Sequence, residues 1–188
     1  MLRIIAGKHR GRKIETSNAK TLRPTAGRTR EALFNILSHG EFSGVDNSPF
    51  IDRQVADLFC GSGALGFEAL SRGAAGVTFV DQSQDSLNLA RSTAETLKEM
   101  SQVRLLRSDS SQLPPSLVRH SLVFIDPPYN SGLAPKALGS LRRQHWLEKN
   151  AVCVVEVSAR ETLEPPEGFT LFDERKYGNT TVFLLRAE

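Results

Sequence analysis

Residues 55–66, VADLFCGSGALG, are the clearest indication of the fold class of this chain. A short apolar run at 55–59 leads into a stretch beginning at Gly61 that matches G-x-G-x-x-G. That pattern is informative where it follows a strand and opens a helix. Here the residues after Gly63 keep helical spacing up to Ser71, and Gly73 is suited to end that helix. The stretch therefore predicts a strand, a glycine-rich turn and a helix, the first unit of a nucleotide-binding type of sheet.

Further apolar runs of strand length alternate with helical patterns along the chain. The first five predicted strands lie at residues 55–59, 77–80, 103–106, 121–125 and 151–157. A helix with a polar face is predicted at about 83–99, and the alternation indicates a parallel sheet with right-handed crossovers. Two last runs, 169–176 and 180–186, are separated only by Tyr177-Gly178-Asn179, so they should be antiparallel. We predict a doubly wound, mostly parallel α/β sheet with an antiparallel C-terminal hairpin.

The charge of the chain is unevenly distributed. The 188 residues contain 24 Lys and Arg against 21 Asp and Glu, a net charge of +3. Residues 1–30 hold nine basic side chains and one acidic one, so this segment carries +8 and the other 158 residues, with 15 basic and 20 acidic side chains, carry −5. A basic segment on a mildly acidic body points to a polyanionic partner.

The basic segment has its own predicted structure. Residues 3–6 and 12–15 flank a basic turn and resemble a small hairpin, and residues 30–37 have helical period. We therefore predict an N-terminal extension at 1–40, a linker at 40–49, and one compact domain at 50–188. The side chains expected to contact phosphates are Arg10, Arg12, Lys13, Arg23, Arg28 and Arg30.

Composition excludes several classes of protein. At 39% hydrophobic and 24% charged, the chain has the composition of a folded domain. No apolar stretch approaches the roughly 20 residues of a membrane span, and no signal peptide is recognisable, so we expect a cytoplasmic protein. Cys60 and Cys153 lie in apolar runs typical of buried thiols, and the four histidines lack ligand spacing, so we expect no metal site.

Acidic residues at strand ends indicate the cofactor. Asp81 follows Gly61 by 20 residues, where a carboxylate can bind the hydroxyls of a ribose. Asp57 lies next to where the pyrophosphate of a dinucleotide would sit, and would repel it, whereas S-adenosylmethionine carries an ammonium and a sulfonium. Asp109 could accept a hydrogen bond from the adenine amino group or could cap a helix. The full set of candidate cofactor contacts is Asp57, Phe59, Gly61, Ser62, Gly63, Asp81, Gln82, Asp109 and Ser110.

The segment Asp126-Pro127-Pro128-Tyr129 follows the fourth predicted strand, which neighbours the first in a doubly wound sheet. Two prolines stiffen the chain and remove N–H donors, leaving the Asp126 carboxylate and the Pro127 carbonyl as fixed acceptors. Such acceptors can hold the hydrogens of an aromatic amino group so that its lone pair points at a methyl donor. Tyr129 offers a face on which a base can stack. These four residues are the candidate catalytic residues.

The sequence resembles the bacterial small-subunit rRNA guanine-N2 methyltransferases. The resemblance rests on residues 55–73, on Asp-Pro-Pro-Tyr, and on the N-terminal blocks at 3–7, 22–25 and 30–37 together with Arg28. It implies a Rossmann-like class I methyltransferase with a seven-stranded sheet. The implied reaction is transfer of a methyl group from S-adenosylmethionine to N2 of a guanine in 16S rRNA, within a small subunit or assembly intermediate. We expect a monomer.

Other interpretations stay open from the sequence alone. A DNA or RNA adenine-N6 or cytosine-N4 methyltransferase would share the catalytic tetrapeptide, although DNA enzymes usually carry a separate recognition domain. A nicotinamide-dependent reductase would have to tolerate Asp57 and leaves Asp-Pro-Pro-Tyr unexplained. An RNA-binding assembly protein would need none of the acidic cofactor contacts.

Overall fold

A computed structural model describes residues 2–16, 24–39 and 48–188. Its helices are α1 (Pro24–His39), α2 (Ala64–Ser71), α3 (Gln84–Leu97) and α4 (Leu133–Arg143), with 3-10 turns at Met100–Gln102 and Ser110–Gln112. Its strands are β1 (Gln54–Leu58), β2 (Gly76–Asp81), β3 (Val103–Arg107), β4 (His120–Ile125), β5 (Leu147–Ser158), β6 (Phe169–Tyr177) and β7 (Thr180–Ala187). All seven predicted strands are present, with bounds that differ by a few residues.

The strands form one sheet in the order β3-β2-β1-β4-β5-β7-β6. Strands β1 to β5 pair in parallel, and β7 runs antiparallel to both β5 and β6. The order reverses between β1 and β4, which are hydrogen-bonded neighbours with Leu58 opposite Ile125. The doubly wound sheet and its antiparallel C-terminal hairpin are confirmed. In such sheets ligands bind at the carboxyl ends of the strands beside this reversal.

A hydrophobic core lies on each face of the sheet. On one face, Phe79 and Phe124 of the sheet pack with α1, α2 and α3, and the ring centroids of Phe79 and Phe67 of α2 are 4.7 Å apart. On the other face, Leu138 of α4 and Trp146, which precedes β5, pack with Val123 and Val155 of the sheet. Each central strand is thus covered on both sides, which explains its nearly continuous apolar sequence.

Helix α2 ends as its sequence predicts. Gly73, at φ 111°, follows the last turn, and its N–H donates to the Leu70 carbonyl while the Ala74 N–H donates to the Ala69 carbonyl. This pair of bonds is a Schellman cap, which requires a left-handed residue that glycine adopts at little cost.

Helix α4 was not predicted from the sequence. Its buried positions include Ala134, Ala137, Leu138 and Leu141, which have helical spacing, but Pro135 and a central glycine obscure the pattern. Because Pro135 lies in the first turn, it removes no hydrogen bond that the helix needs.

The N-terminal segment reverses direction as the hairpin prediction requires, with one antiparallel bridge between Arg3 and Lys13. The Ile4 and Ile14 side chains are fully buried in the core under α1, α2 and α3. Most of the predicted linker lies outside the described residues. No helix in the described part of the chain is long and apolar enough to cross a membrane.

Candidate active site

The glycine-rich turn joins β1 to α2 through left-handed backbone. Gly61 has φ 51° and Gly63 has φ 75°, and the Gly63 N–H donates to the Cys60 carbonyl over 2.7 Å. A Cβ atom on Gly63 would lie 2.8 Å from the Phe79 ring, so this glycine allows the turn to pack on the sheet. A Cβ on Gly61 would meet nothing within 4 Å. Gly61 therefore faces open space in which a ligand can approach the backbone.

Two carboxylates accept hydrogen bonds from the backbone of this turn and of the helix that follows it. Asp57 is 2% exposed and accepts a hydrogen bond from the Gly66 N–H over 2.9 Å. Asp81 accepts from the Gly61 N–H over 2.9 Å and from the Ser83 N–H over 2.8 Å. The spacing of 20 residues between Gly61 and Asp81 thus corresponds to direct contact across the β1–β2 edge.

The charge state of Asp57 depends on its surroundings. Burial raises the pKa of Asp57 to about 7, the Gly66 N–H opposes that shift, and repulsion from Asp81 adds to it. A nearby cation would favour the ionised form, and a phosphate would disfavour it. With 2% of its surface exposed, Asp57 would act on a cofactor through its charge and through α2, and not by direct contact.

In the loop after β3, Asp109 caps a helical turn, which is one of the two roles that its sequence position suggested. The Asp109 carboxylate caps the 3-10 turn, accepting from the Ser111 N–H over 2.8 Å and from the Ser111 hydroxyl over 2.7 Å. These bonds, with a smaller contribution from the Gln82 side chain, lower the pKa of Asp109 despite some desolvation. Ser110, predicted as a cofactor contact, is 1% exposed, so almost none of its surface is available to a ligand.

The Asp-Pro-Pro-Tyr segment follows β4 and lies beside the glycine-rich turn, because β4 pairs with β1 up to Ile125 and Leu58. Asp126 is exposed and Pro127 is buried. The half-buried Tyr129 has its hydroxyl 2.8 Å from the Thr180 hydroxyl and 3.3 Å from a Glu156 carboxylate oxygen. The Tyr129 ring is therefore held by residues of β5 and β7.

A cavity of about 760 Å³ opens between this segment, α1 and the C-terminal hairpin. Predicted site residues in its wall are Ser62, Asp126, Tyr129 and Arg30, and the turn residues Tyr177 and Asn179 also line it. Residues that sequence reasoning missed are Glu156, Arg160 and Thr180. Glu156 lies near the end of β5, Arg160 follows that strand, and Thr180 begins β7; only the order of the strands brings Thr180 close to β4.

The predicted RNA-binding side chains divide into three groups. Arg10, Arg12, Lys13 and Arg28 are exposed. Arg23 lies outside the described residues. The expectation that Arg30 contacts phosphate from the surface is wrong for this structure, since Arg30 is 5% exposed and its Nη2 donates to the Arg3 carbonyl over 2.6 Å.

Arg30 belongs instead to a buried ionic cluster centred on Glu68, which is 0% exposed. Its Nε lies 3.6 Å from Glu68, while Arg72 Nε donates to Glu68 over 2.8 Å. The same carboxylate accepts from the backbone N–H groups of Ile5, over 2.8 Å, and Ala6, over 3.0 Å. Glu68 thereby attaches the N-terminal segment and α1 to the helix that begins at the glycine-rich turn.

Comparison with known proteins gives consistent matches over nearly the whole chain. The family model described as conserved hypothetical protein 95 matches residues 2–186. The ribosomal RNA small subunit methyltransferase D of Haemophilus influenzae is 38% identical over 182 residues, covering 94% of this chain and 89% of that protein. The protein of the same name from Escherichia coli K12 is 35% identical, covering 100% of this chain and 90% of that protein. A solved structure of an Escherichia coli protein superposes with a TM-score of 0.82 at 33% identity, covering 100% and 98%.

Proposed function

The chain belongs to the family described as conserved hypothetical protein 95 and is related to the ribosomal RNA small subunit methyltransferases D; from this premise we propose that it transfers a methyl group from S-adenosylmethionine to N2 of a guanine in 16S rRNA. The observation that carries the proposal is the position of Asp126-Pro127-Pro128-Tyr129, at the end of the strand that pairs with β1 and its glycine-rich turn. A methyl donor on the turn and an amino group on the tetrapeptide would then lie side by side.

The chemistry of the turn fits S-adenosylmethionine. When bound, this cofactor supplies an electrophilic methyl group on a positively charged sulfur. Gly61 leaves room for the cofactor against the backbone, and Asp81, which accepts a hydrogen bond from the Gly61 N–H, would bind the ribose hydroxyls. Asp57 lies behind the turn, with its pKa raised to about 7 by burial, and a cationic ligand would favour its ionised form. Phe59, Ser62, Gln82 and Asp109 would complete the binding site.

The tetrapeptide would activate the amino group by orienting it. The exocyclic nitrogen of guanine is a poor nucleophile because its lone pair is delocalised into the ring. The Asp126 carboxylate and the Pro127 carbonyl accept its two hydrogens, which favours a pyramidal nitrogen with its lone pair directed at the methyl carbon. The Tyr129 ring stacks on the base, a contact of about 1–3 kcal/mol. After transfer the amino proton leaves to Asp126 or to water, and most of the rate acceleration comes from positioning.

The exposed cations of the N-terminal segment would bind the rRNA. Arg10, Arg12, Lys13 and Arg28 neutralise phosphates, so the affinity should fall steeply with salt. A stacked base cannot reach the cavity, so the target guanine must lie in a loop or be flipped out. The substrate is 16S rRNA within a small subunit or an assembly intermediate, and the enzyme acts as a monomer.

The test is transfer of a radiolabelled methyl group to small-subunit particles from cells that lack the gene, followed by mapping of the modified nucleotide. DNA serves as the competing substrate. We expect one labelled guanine, identified as N2-methylguanine. Label in an adenine or a cytosine, or in DNA alone, would contradict the proposal.

The catalytic assignment is tested in the same assay with Asp126→Ala and Asp126→Asn. The alanine variant should lose transfer by at least 100-fold while binding S-adenosylmethionine normally in calorimetry, and the asparagine variant, which keeps one acceptor, should retain more activity. Asp85→Ala, at an exposed position on α3, is the matched control. Normal turnover by Asp126→Ala would rule out this role.

A further inference from the structure

A second carboxylate, Glu156, lies in the cavity wall beside the catalytic segment. Strands β4 and β5 pair in parallel, with Ile125 opposite Val155. Asp126 and Glu156 are the residues that follow this pair, on strands that lie about 4.8 Å apart where they are hydrogen-bonded. Both residues line the cavity, and Glu156 is half-buried. Two carboxylates therefore meet at one side of the space where the target base would enter.

The Tyr129 hydroxyl donates a hydrogen bond to Glu156 Oε1 over 3.3 Å. The same hydroxyl lies 2.8 Å from the Thr180 hydroxyl. A carboxylate has about four lone-pair sites, so a hydrogen bond from Tyr129 leaves Glu156 able to accept another. A base that stacks on the Tyr129 ring would thus have its edge close to this carboxylate.

The edge of guanine offers two adjacent donors that match two carboxylates. Its N2 amino group is the reacting group, and the neighbouring N1 carries a hydrogen. In adenine and in 2,6-diaminopurine, N1 instead carries a lone pair, which a carboxylate would repel. An arrangement with Asp126 at the N2 amino group and Glu156 at N1–H would accept guanine and reject a base with the opposite polarity at N1.

We propose that Glu156 recognises the target base as guanine by accepting a hydrogen bond from N1–H while Asp126 holds the N2 amino group. This inference rests on the proposed function, because it assumes that guanine N2 is the methyl acceptor. It goes further in assigning base specificity to a residue outside the catalytic tetrapeptide.

The test uses rRNA in which the mapped guanine is replaced by 2,6-diaminopurine, which keeps the N2 amino group and inverts the polarity of N1. Wild-type protein should prefer guanine in kcat/KM by roughly 5- to 150-fold, the discrimination expected of a good paired contact to a base edge. Glu156→Gln, whose amide can donate to N1 or accept from it, should lose most of this preference. The two bases also differ at position 6, where guanine has an oxygen and diaminopurine an amino group. This difference is the same for wild-type protein and for Glu156→Gln, so it cancels when their preferences are compared.

Thr180→Val is the matched control, since it removes the other hydrogen-bond partner of Tyr129 and leaves Glu156 in place. If Glu156 only positions Tyr129, Glu156→Gln and Thr180→Val should each lower kcat/KM by the same factor on the guanine RNA as on the diaminopurine RNA. That result for Glu156→Gln would overturn the inference. Glu156→Asp, which keeps the charge on a shorter side chain, should be slower and should still prefer guanine.

The experiment separates the two proposals. No transfer to the guanine RNA by wild-type protein would overturn the proposed function itself. Equal rates of wild-type protein on the guanine and diaminopurine RNAs would leave the function intact and overturn the role of Glu156. Because this second comparison needs no variant, the inference stays testable even if Glu156→Gln folds poorly.

Discussion

Replacing Glu68 by alanine should reveal how firmly the N-terminal segment is built into the fold. The substitution removes the acceptor for the Ile5 and Ala6 N–H groups and for Arg72, and it leaves the 5% exposed Arg30 without its counter-charge. Breaking a buried ion pair by removing one partner costs about 3–5 kcal/mol. The two half-buried N–H groups can be reached partly by water, so they add little, and we expect a total of about 4 kcal/mol.

The assay is urea unfolding followed by circular dichroism, with Glu31→Ala, at an exposed position on α1, as the control. For a chain of this size a loss of about 4 kcal/mol corresponds to a fall in Tm of about 8–16 °C, whereas the control should stay within about 0.5 kcal/mol. Amide hydrogen exchange at Ile5 and Ala6 should accelerate in the Glu68 variant. A loss below about 1 kcal/mol, at an unchanged m-value, would refute the view that this cluster anchors the segment.

Three further outcomes are expected. Because burial raises the pKa of Asp57 to about 7, its folded form binds a proton that the unfolded chain has released above about pH 4. Urea titrations of the protein without cofactor should therefore show that its free energy of unfolding falls, relative to that of Asp57→Asn, as the pH rises from about 4 to 7. The fall should be on the order of 1.4 kcal/mol per unit of pH. A difference between the two proteins that does not change with pH would contradict the assignment. Gly61→Ala should cost only about 1–2 kcal/mol of backbone strain but weaken S-adenosylmethionine binding at least tenfold in calorimetry, since its Cβ would enter the open face of the turn; unchanged affinity would place the cofactor elsewhere. Replacing Arg10 and Lys13 by alanine should reduce the steepness of a plot of log K for rRNA binding against log salt concentration by about 1 for each lost phosphate contact. Lys149→Ala, at an exposed position before the buried part of β5, should leave this slope unchanged.

The parts of the fold that the sequence predicted are those that local patterns encode. Residues 55–73 contain the strand, the left-handed glycines and the Schellman cap of one continuous unit, and each is recognisable within a few residues. The match between Asp81 and Gly61 was also predictable, because consecutive parallel strands joined by one crossover bring such positions together. Helix α4 escaped prediction because Pro135 and a central glycine weaken its pattern, although burial under β4 and β5 stabilises it.

The class of sheet, the glycine-rich turn, the candidate catalytic tetrapeptide and the basic character of the N-terminus can all be recognised from the sequence, since each depends on residues close in the chain. The burial of Arg30 against Glu68, 38 residues away, appears only in the folded chain, and it means that Arg30 is not a surface cation. Only the strand order placed Glu156 and Thr180 around Tyr129, because β7 inserts between β5 and β6. In both cases burial and charge pairing depend on which surfaces meet across the fold, and no local pattern carries that information.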